Sequence, residues 1–393
     1  MSGPLAHIRV LDLSRILAGP WATQILADLG AEVIKVERPG KGDESRTFAP
    51  FFEGGQSAYY AAFNRAKNSI AIDLRTAEGQ AIALELAAGA DVVVENFLPG
   101  TMDRMGLGYD AVRAVNPGVV YVSNTGFGQS GPYSDRKGYD TVFQALSGVI
   151  DLTGFPDGPP AKVGVPFADM TSGLWIAIST LTALMGRQRT GQGCHVDLSM
   201  MDVQVSLLSL PAAWYFADGI TPTRTGTEHL GRVPSAAFEC RDGDWLFISA
   251  SDQHWGAVVA ALAIEVPDSW SVMATRVAER EAVMATLREA IRGWDRAALA
   301  EALRRGDVPV GEVNTVPEIL SDPHTQARGV VGQFEGRGGA RVPALGTPGR
   351  YSGYEGPQFR APPELGQQTA EILTGLGRDA AEIEDLKRKG VVA

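Results

Sequence analysis

The stretch Val163-Gly164-Val165-Pro166-Phe167-Ala168-Asp169-Met170-Thr171-Ser172-Gly173-Leu174 sets one carboxylate between a Gly/Pro-shaped turn and an apolar run. Pro166 fixes its own φ and holds Val165 extended, so the chain arrives as a strand or turn and turns helical only at about Phe167. Asp169 therefore falls at a helix start. Leu174, Ile176, Ala177, Ile178, Leu181 and Leu184 then spread over most faces, which predicts a helix buried inside a layered domain. At such a desolvated N-terminus the unpaired amides and the helix dipole favour an ionised carboxylate, ready to attack an electrophilic carbon. The plainer role for Asp169 is a helix cap, with Thr171 and Ser172 as polar company.

The other reactive groups do not fall into motifs. His7, His195, His229, His254 and His324 give no H-x-x-x-H, and with only Cys194 and Cys240 present the pattern predicts neither a metal site nor a disulfide framework. Gly126-Phe127-Gly128-Gln129-Ser130-Gly131 follows a predicted strand and matches G-x-G-x-x-G. Pro132, Tyr133, Ser134 and Asp135 prolong the turn where a helix would have to aim its N-terminus at a pyrophosphate, so dinucleotide binding is rejected. Ser130 is a turn residue and not the serine of a G-x-S-x-G elbow.

The elements that must position Asp169 follow from alternation. Strands are expected over 8–13, 31–36, 69–74, 91–96 and 119–123, with helices over 19–29, 76–88 and 109–115, a pattern that predicts a doubly wound parallel α/β sheet covered on both faces. Between the second and third strands, Pro39-Gly40-Lys41-Gly42-Asp43 opens a long segment carrying Phe48, Phe51, Phe52, Tyr59, Tyr60 and Phe63. It reads either as a functional loop or as an aromatic cluster over the sheet edge. A strand over 194–198 and a long helix over 200–217 complete a large domain of residues 1–218. A Thr/Gly/Pro-rich linker at 219–233 leads to a smaller α/β domain at 234–315, with a hairpin turn at Asp242-Gly243-Asp244 and helices over 254–262, 278–292 and 296–304. A return linker at 316–329 brings residues 330–393, with helices over 367–376 and 380–389, back to the large domain.

A chain of 393 residues, 45% hydrophobic and 21% charged, has ordinary globular composition and room for two domains. Its net charge of -11 argues against a nucleic-acid or acidic-membrane binder, and leaves open a local basic site for one anionic ligand. Met1-Ser2-Gly3-Pro4 begins no basic-then-apolar segment, and the run after Asp169 is interrupted by Ser172, Ser179, Thr180 and Thr182, so a cytoplasmic protein without a membrane span is expected. Arg38, Lys41, Arg46, Arg65, Lys67, Arg75, Arg104 and Lys137 recur at predicted strand ends. Ligands of open α/β sheets lie beyond the carboxyl ends of the strands, so these cations suit a polyphosphate; the alternative for each is a solvated surface charge.

Six segments in order carry a resemblance. Ala18-Gly19-Pro20, Glu32-Val33-Ile34-Lys35-Val36-Glu37-Arg38 with Gly42-Asp43, Asn68-Ser69-Ile70, Val94-Glu95-Asn96-Phe97 with Pro99-Gly100 and Arg104, and the Asp169 stretch, followed by Asp322-Pro323-His324 and Ala327-Arg328-Gly329, resemble the class III coenzyme A transferases of the formyl-CoA transferase type over essentially the whole chain. The resemblance implies a large Rossmann-like domain and a small one, in two subunits interlocked like links of a chain. It implies that Asp169 is the nucleophile and that Arg38, Ile72, Asp73, Leu74, Arg75, Asn96, Phe97, Leu98, Arg104, Lys137, Gly138, Tyr139 and Asp140 hold CoA. CoA and acyl-CoA would then be substrates, with no tightly bound cofactor and no metal.

The departures bear on substrate. Leu17 stands where formyl-CoA transferase has a glutamine, and that enzyme's four-glycine loop is missing, which points away from oxalate and towards succinyl-CoA with a small dicarboxylate. The related α-methylacyl-CoA racemases carry a histidine in a Gly-His-Asp segment, which here reads Gly138-Tyr139-Asp140. A phenol with an unperturbed pKa near 10 relays protons poorly at neutral pH, so a racemase takes second place, beside a non-catalytic binder of acyl-CoA.

Overall fold

Short β-branched runs build the central sheet of the computed structural model, which describes residues 3–393. The strands are β1 (Arg9–Asp12), β2 (Glu32–Glu37), β3 (Asn68–Ala71), β4 (Val92–Glu95), β5 (Val120–Thr125) and β6 (Cys194–Ser199). They lie in the order β3-β2-β1-β4-β5-β6, and every pairing is parallel. Between them run α1 (Ala18–Asp28), α2 (Ala58–Asn64), α3 (Ala77–Ala88), α4 (Thr101–Arg104), α5 (Tyr109–Val115), α6 (Asp140–Leu146), α7 (Val149–Leu152) and α8 (Phe167–Thr190). This is the doubly wound parallel sheet that the alternation predicted.

Successive strand residues point to opposite faces, and both faces are covered. On one, Leu11, Ile34, Ile70, Val93 and Tyr121 pack with Ile82, Leu86 and Val112; on the other, Val10, Val33, Val92, Val94, Val120 and Val122 pack with Ala22, Leu26, Ile176 and Leu184. Runs such as Val92-Val93-Val94 are apolar throughout because neither side meets water. The order of the strands reverses between β1 and β4, which opens a crevice at their carboxyl ends.

Helix α8 starts directly after Pro166 and ends at Gly191, whose φ of 69° closes the last turn. It packs on α1 through a small-residue stripe. A Cβ on Gly173 would stand 2.9 Å from both the Ala18 carbonyl oxygen and Trp21 Cε3, so only glycine admits this approach. The expectation of burial on most faces is corrected, because one stripe is covered while Leu174, Trp175, Ile178 and Met185 are 45%, 40%, 49% and 67% exposed. By length and composition alone α8 is apolar enough to cross a membrane, yet its stripe is committed to the sheet's helical layer.

The helix expected over 200–217 is two, α9 (Met200–Ser206) and α10 (Ser209–Asp218). Pro211 has no N–H to offer the carbonyl of Leu207 and crowds it, which breaks the run. One compact unit comprises the chain up to Val149 with Val163–Ala213 and Pro323–Ala393. Within it the last helices, Thr369–Gly375 and Ala380–Arg388, bring Leu373 and Ile383 into the core on one face of the sheet.

The second unit, Ile150–Lys162 with Trp214–Asp322, is wider than the 234–315 expected and takes in the stretch 219–233. Its antiparallel sheet joins Ser235–Glu239, Trp245–Ser249 and Val310–Glu312, with Gly243 at φ 82° in the turn between the first two. Helices Asp252–Leu262, Arg280–Ile291 and Arg296–Arg305 cover it over a core that includes Phe238, Leu246, Trp255, Leu287 and Leu299.

Candidate active site

At the carboxyl ends of β1 to β3, a cleft of about 220 Å³ is lined by Ser14, Arg15, Arg38, Asp43, Ile72, Asp73, Leu74, Arg75, Phe97 and others. Arg38, Ile72, Asp73, Leu74, Arg75 and Phe97, six of the residues assigned to CoA from the sequence, meet here. Asn96 braces the rim. Its Oδ1 accepts from the Arg15 N–H at 2.9 Å and its Nδ2 donates to the Arg15 carbonyl at 2.8 Å. Arg75 donates to Asp73 at 2.8 Å and holds that carboxyl near pKa 2. Leu98, Arg104, Lys137 and Tyr139 are exposed and do not line the cleft.

Three of the eight cations expected to face a ligand are instead tied into the protein. Arg46 donates to Glu37 at 2.7 and 2.6 Å, Arg65 pairs with Asp28 at 3.0 Å, and Lys67 pairs with Asp12 at 3.0 Å. Arg65 and Lys67 are fully buried, so each needs its carboxylate. Burial alone would push Asp12 up, but Lys67 and Lys35 outweigh it and keep the carboxyl ionised well below its usual range. Lys35 also pairs with Asp43 at 3.0 Å. Asp43 in turn accepts from the Ile16 N–H at 3.2 Å, which holds this β-branched residue at φ 70°, a rarely tolerated conformation, beside the cleft.

Asp169 is the third residue of α8 and is half-buried. It is not the cap. Asp140 takes that role: its Oδ1 accepts from the amides of Ala168 and of Asp169 itself at 2.7 and 3.1 Å. The donors expected to hold Asp169 as an anion are therefore spent on Asp140. Burial first, and the charge of Asp140 second, push the Asp169 carboxyl up to about 7. The expected dipole-stabilised anion is corrected accordingly, and Asp140 lies at the α8 N-terminus and not in the cleft.

Two further residues were given no individual role from the sequence. Tyr59 of α2 feels Asp169, Asp43 and Asp140, and burial first, then these carboxylates, keep its phenol protonated. Its ring stands edge-on to Phe48 and Phe63 at 5.2 and 5.4 Å. The aromatic density of residues 39–63 was its only signal, and that segment both packs as an aromatic cluster and brings Tyr59 within electrostatic reach of Asp169. Gln144 of α6 donates from Nε2 to Asp140 Oδ2 at 2.6 Å and accepts at Oε1 from Val163 N–H at 3.0 Å.

A second cleft of about 200 Å³, beside β4, β5 and β6, is lined by Glu95, Asp103, Asp110, Ser123, Gln129 and His195 among others, and by no lysine or arginine. It does not suit a phosphate. The glycine-rich turn beside it directs the Gln129 N–H at Asp197, at 3.0 Å.

Known proteins bear on this geometry. The family described as CoA-transferase family III matches residues 5–369. The chain is 37% identical over 394 residues to the succinate–glutarate CoA-transferase of Agrobacterium fabrum, covering 98% of this chain and 97% of that one. It is 37% identical over 375 residues to the acetyl-CoA:oxalate CoA-transferase of Acetobacter aceti, covering 94% and 95%. The crystal structure of a CAIB/BAIF family protein from Brucella suis superposes with a TM-score of 0.88 at 40% identity, covering 96% of this chain and all of that one.

Proposed function

Since the chain belongs to CoA-transferase family III and is thereby an enzyme moving CoA between an acyl-CoA and a carboxylate, we propose that Asp169 is its covalent nucleophile. What carries this reading is a half-buried carboxylate at the start of α8, poised near neutrality beside Asp140 and Tyr59. A carboxyl that titrates near pH 7 is both available as an anion and less solvated than a surface aspartate, which suits nucleophilic attack.

In the proposed course, an Asp169 oxygen attacks the thioester carbonyl, the C–S bond breaks, and a mixed anhydride and CoA thiolate result. The thiolate attacks the aspartyl carbonyl of that anhydride, which releases the donor acid and leaves an aspartyl-CoA thioester. The acceptor carboxylate attacks this thioester, expelling the thiolate, which then takes the acceptor's acyl group and frees Asp169. Every bond made is matched by one broken, and no oxidant or metal enters. The amides nearest Asp169 are bound by Asp140, so oxyanion stabilisation falls to other donors of the assembled site.

The cleft carrying Arg38, Arg75 and Phe97 would take CoA, the guanidinium groups of Arg38 and Arg75 meeting phosphate and the Phe97 ring the base. Leu17, standing where formyl-CoA transferase has a glutamine, points away from oxalate and towards succinyl-CoA with a small dicarboxylic acid. The relatives named for succinate, glutarate and oxalate all use acids of that class. Exposed Leu174, Trp175, Ile178 and Met185 on α8 support a homodimer in which a second copy covers them; light scattering that gives a monomer mass would overturn this. The unpaired Cys194 and Cys240 fit a reducing, cytoplasmic setting, which fractionation of source cells tests. A racemase gains nothing from the structure, because Tyr139 is 82% exposed.

The test is incubation with succinyl-CoA followed by mass spectrometry. A hydroxylamine-sensitive adduct at Asp169, absent from Asp169→Ala, is the expected result. Turnover by Asp169→Ala would overturn the proposal.

A further inference from the structure

We propose that Gln144 is a positioning residue for the transfer, fixing the Asp140 carboxylate and, through it, the first turn of the helix that carries Asp169. This rests on the reading of Asp169 as nucleophile. Gln144 lies one turn beyond Asp140 on α6 and is wholly buried. Its Nε2 donates to Asp140 Oδ2 at 2.6 Å, and its Oε1 accepts from the Val163 N–H at 3.0 Å. A backbone N–H only donates and a carboxylate only accepts, so the amide fits between them one way round.

Both partners deliver Asp169. Val163 opens the turn that runs through Pro166 into α8, while Asp140 Oδ1 holds the Ala168 and Asp169 amides at 2.7 and 3.1 Å. With Oδ2 anchored on Gln144, the Asp140 carboxylate cannot rotate off those amides, and the approach to α8 is fixed relative to its first turn. The charge-assisted bond also offsets part of the charge that Asp140 turns towards Asp169. The titratable groups facing Asp140 are Asp169 of α8 and Tyr59 of α2, both acidic. α6 itself carries no other, and the only one on α9, which also packs on α6, is the exposed Asp202.

Gln144→Glu separates the two arms, since it keeps an acceptor for Val163 and loses the donor to Asp140. Succinyl-CoA and glutarate serve as probes, with kcat and KM followed from about pH 5.5 to about pH 8.5 in wild type, Gln144→Glu, Gln144→Met and Asp169→Asn. At the alkaline end the new glutamate and Asp140 repel, and kcat falls roughly 10–100-fold with little change in KM for succinyl-CoA. At the acid end the pair shares one proton, an O–H···O bond replaces the lost N–H···O, and the deficit relative to wild type closes. Both proteins lose turnover as Asp169 takes up its proton, so the quantity to read is the ratio of Gln144→Glu to wild-type kcat, which rises as pH falls. A purely structural role would leave that ratio level.

Gln144→Met, with neither donor nor acceptor, should stay low at every pH, and it carries the test if Gln144→Glu fails to fold. Wild-type kcat in Gln144→Met, or a wild-type profile in Gln144→Glu, would overturn the role of Gln144 while an inert Asp169→Asn left the nucleophile standing. An active Asp169→Asn would instead remove the nucleophile and this inference with it.

Discussion

Replacing Asp169 by asparagine should leave the protein inert as a transferase and more stable above neutral pH. Burial and Asp140 raise the Asp169 carboxyl to about 7 from a usual aspartate value near 4. A folded-state pKa above the unfolded one means that the native protein holds the proton more tightly, so the ionised side chain costs stability. That cost is absent below about pH 4, grows through the interval to about pH 7, and is constant above it. The full difference corresponds to at most about 4 kcal/mol, and partial solvent screening of a half-buried group reduces it to about 2 kcal/mol. Urea unfolding of wild type and Asp169→Asn at a series of pH values measures it directly. The asparagine amide adds an offset independent of pH, so the quantity to read is how the gap between the two proteins changes. It should widen in favour of the variant from about pH 4 to about pH 7 and then hold level. A gap that is flat across that interval, or that narrows as pH rises, would refute the account of a carboxyl held up by burial and a like charge.

The same carboxyl makes kcat/KM for an acyl-CoA rise with pH through about 7, since the free enzyme attacks only as the anion; a profile level down to about pH 5 would count against it. Arg38→Ala should raise KM for the acyl-CoA roughly tenfold with kcat little changed, as expected of a phosphate contact in the cleft, and an unchanged KM would remove Arg38 from that role. Gly173→Val should lower stability by about 3 kcal/mol or prevent folding, because the α1 backbone stands 2.9 Å from the new Cβ, and denaturant unfolding decides it. Lys67→Met should cost about 3–5 kcal/mol by removing the lysine that pairs with buried Asp12, with wild-type stability as the refuting outcome.

The sheet was legible because its strands announce themselves twice, by β-branched composition and by turns that recur between them. Val92-Val93-Val94 can only be a strand covered on both faces, and the helix after Pro166 begins where the proline permits. Local composition is silent about partners distant in sequence. Nothing near Lys67 or Arg65 says that Asp12 and Asp28 will neutralise them, so both resembled ligand-facing cations. The outer face of α8 looked like core because an apolar side chain does not record whether its own chain covers it. Asp140 was read as part of the CoA site, whereas the fold carries it across 28 residues of sequence to cap the helix of Asp169.

That last displacement changes the electrostatic argument. A helix N-terminus offers only a few free amides, and once Asp140 has taken two of them the next carboxylate along meets a donor set already filled. The same α8 terminus therefore gives its amides to Asp140, while burial first and the neighbouring Asp140 second leave Asp169 titrating near 7. That arrangement holds only while Asp140 does not release the amides. The buried Gln144 opposes that release, and it links a cap at 2.7 Å from Ala168 to the reactivity of a residue it never touches.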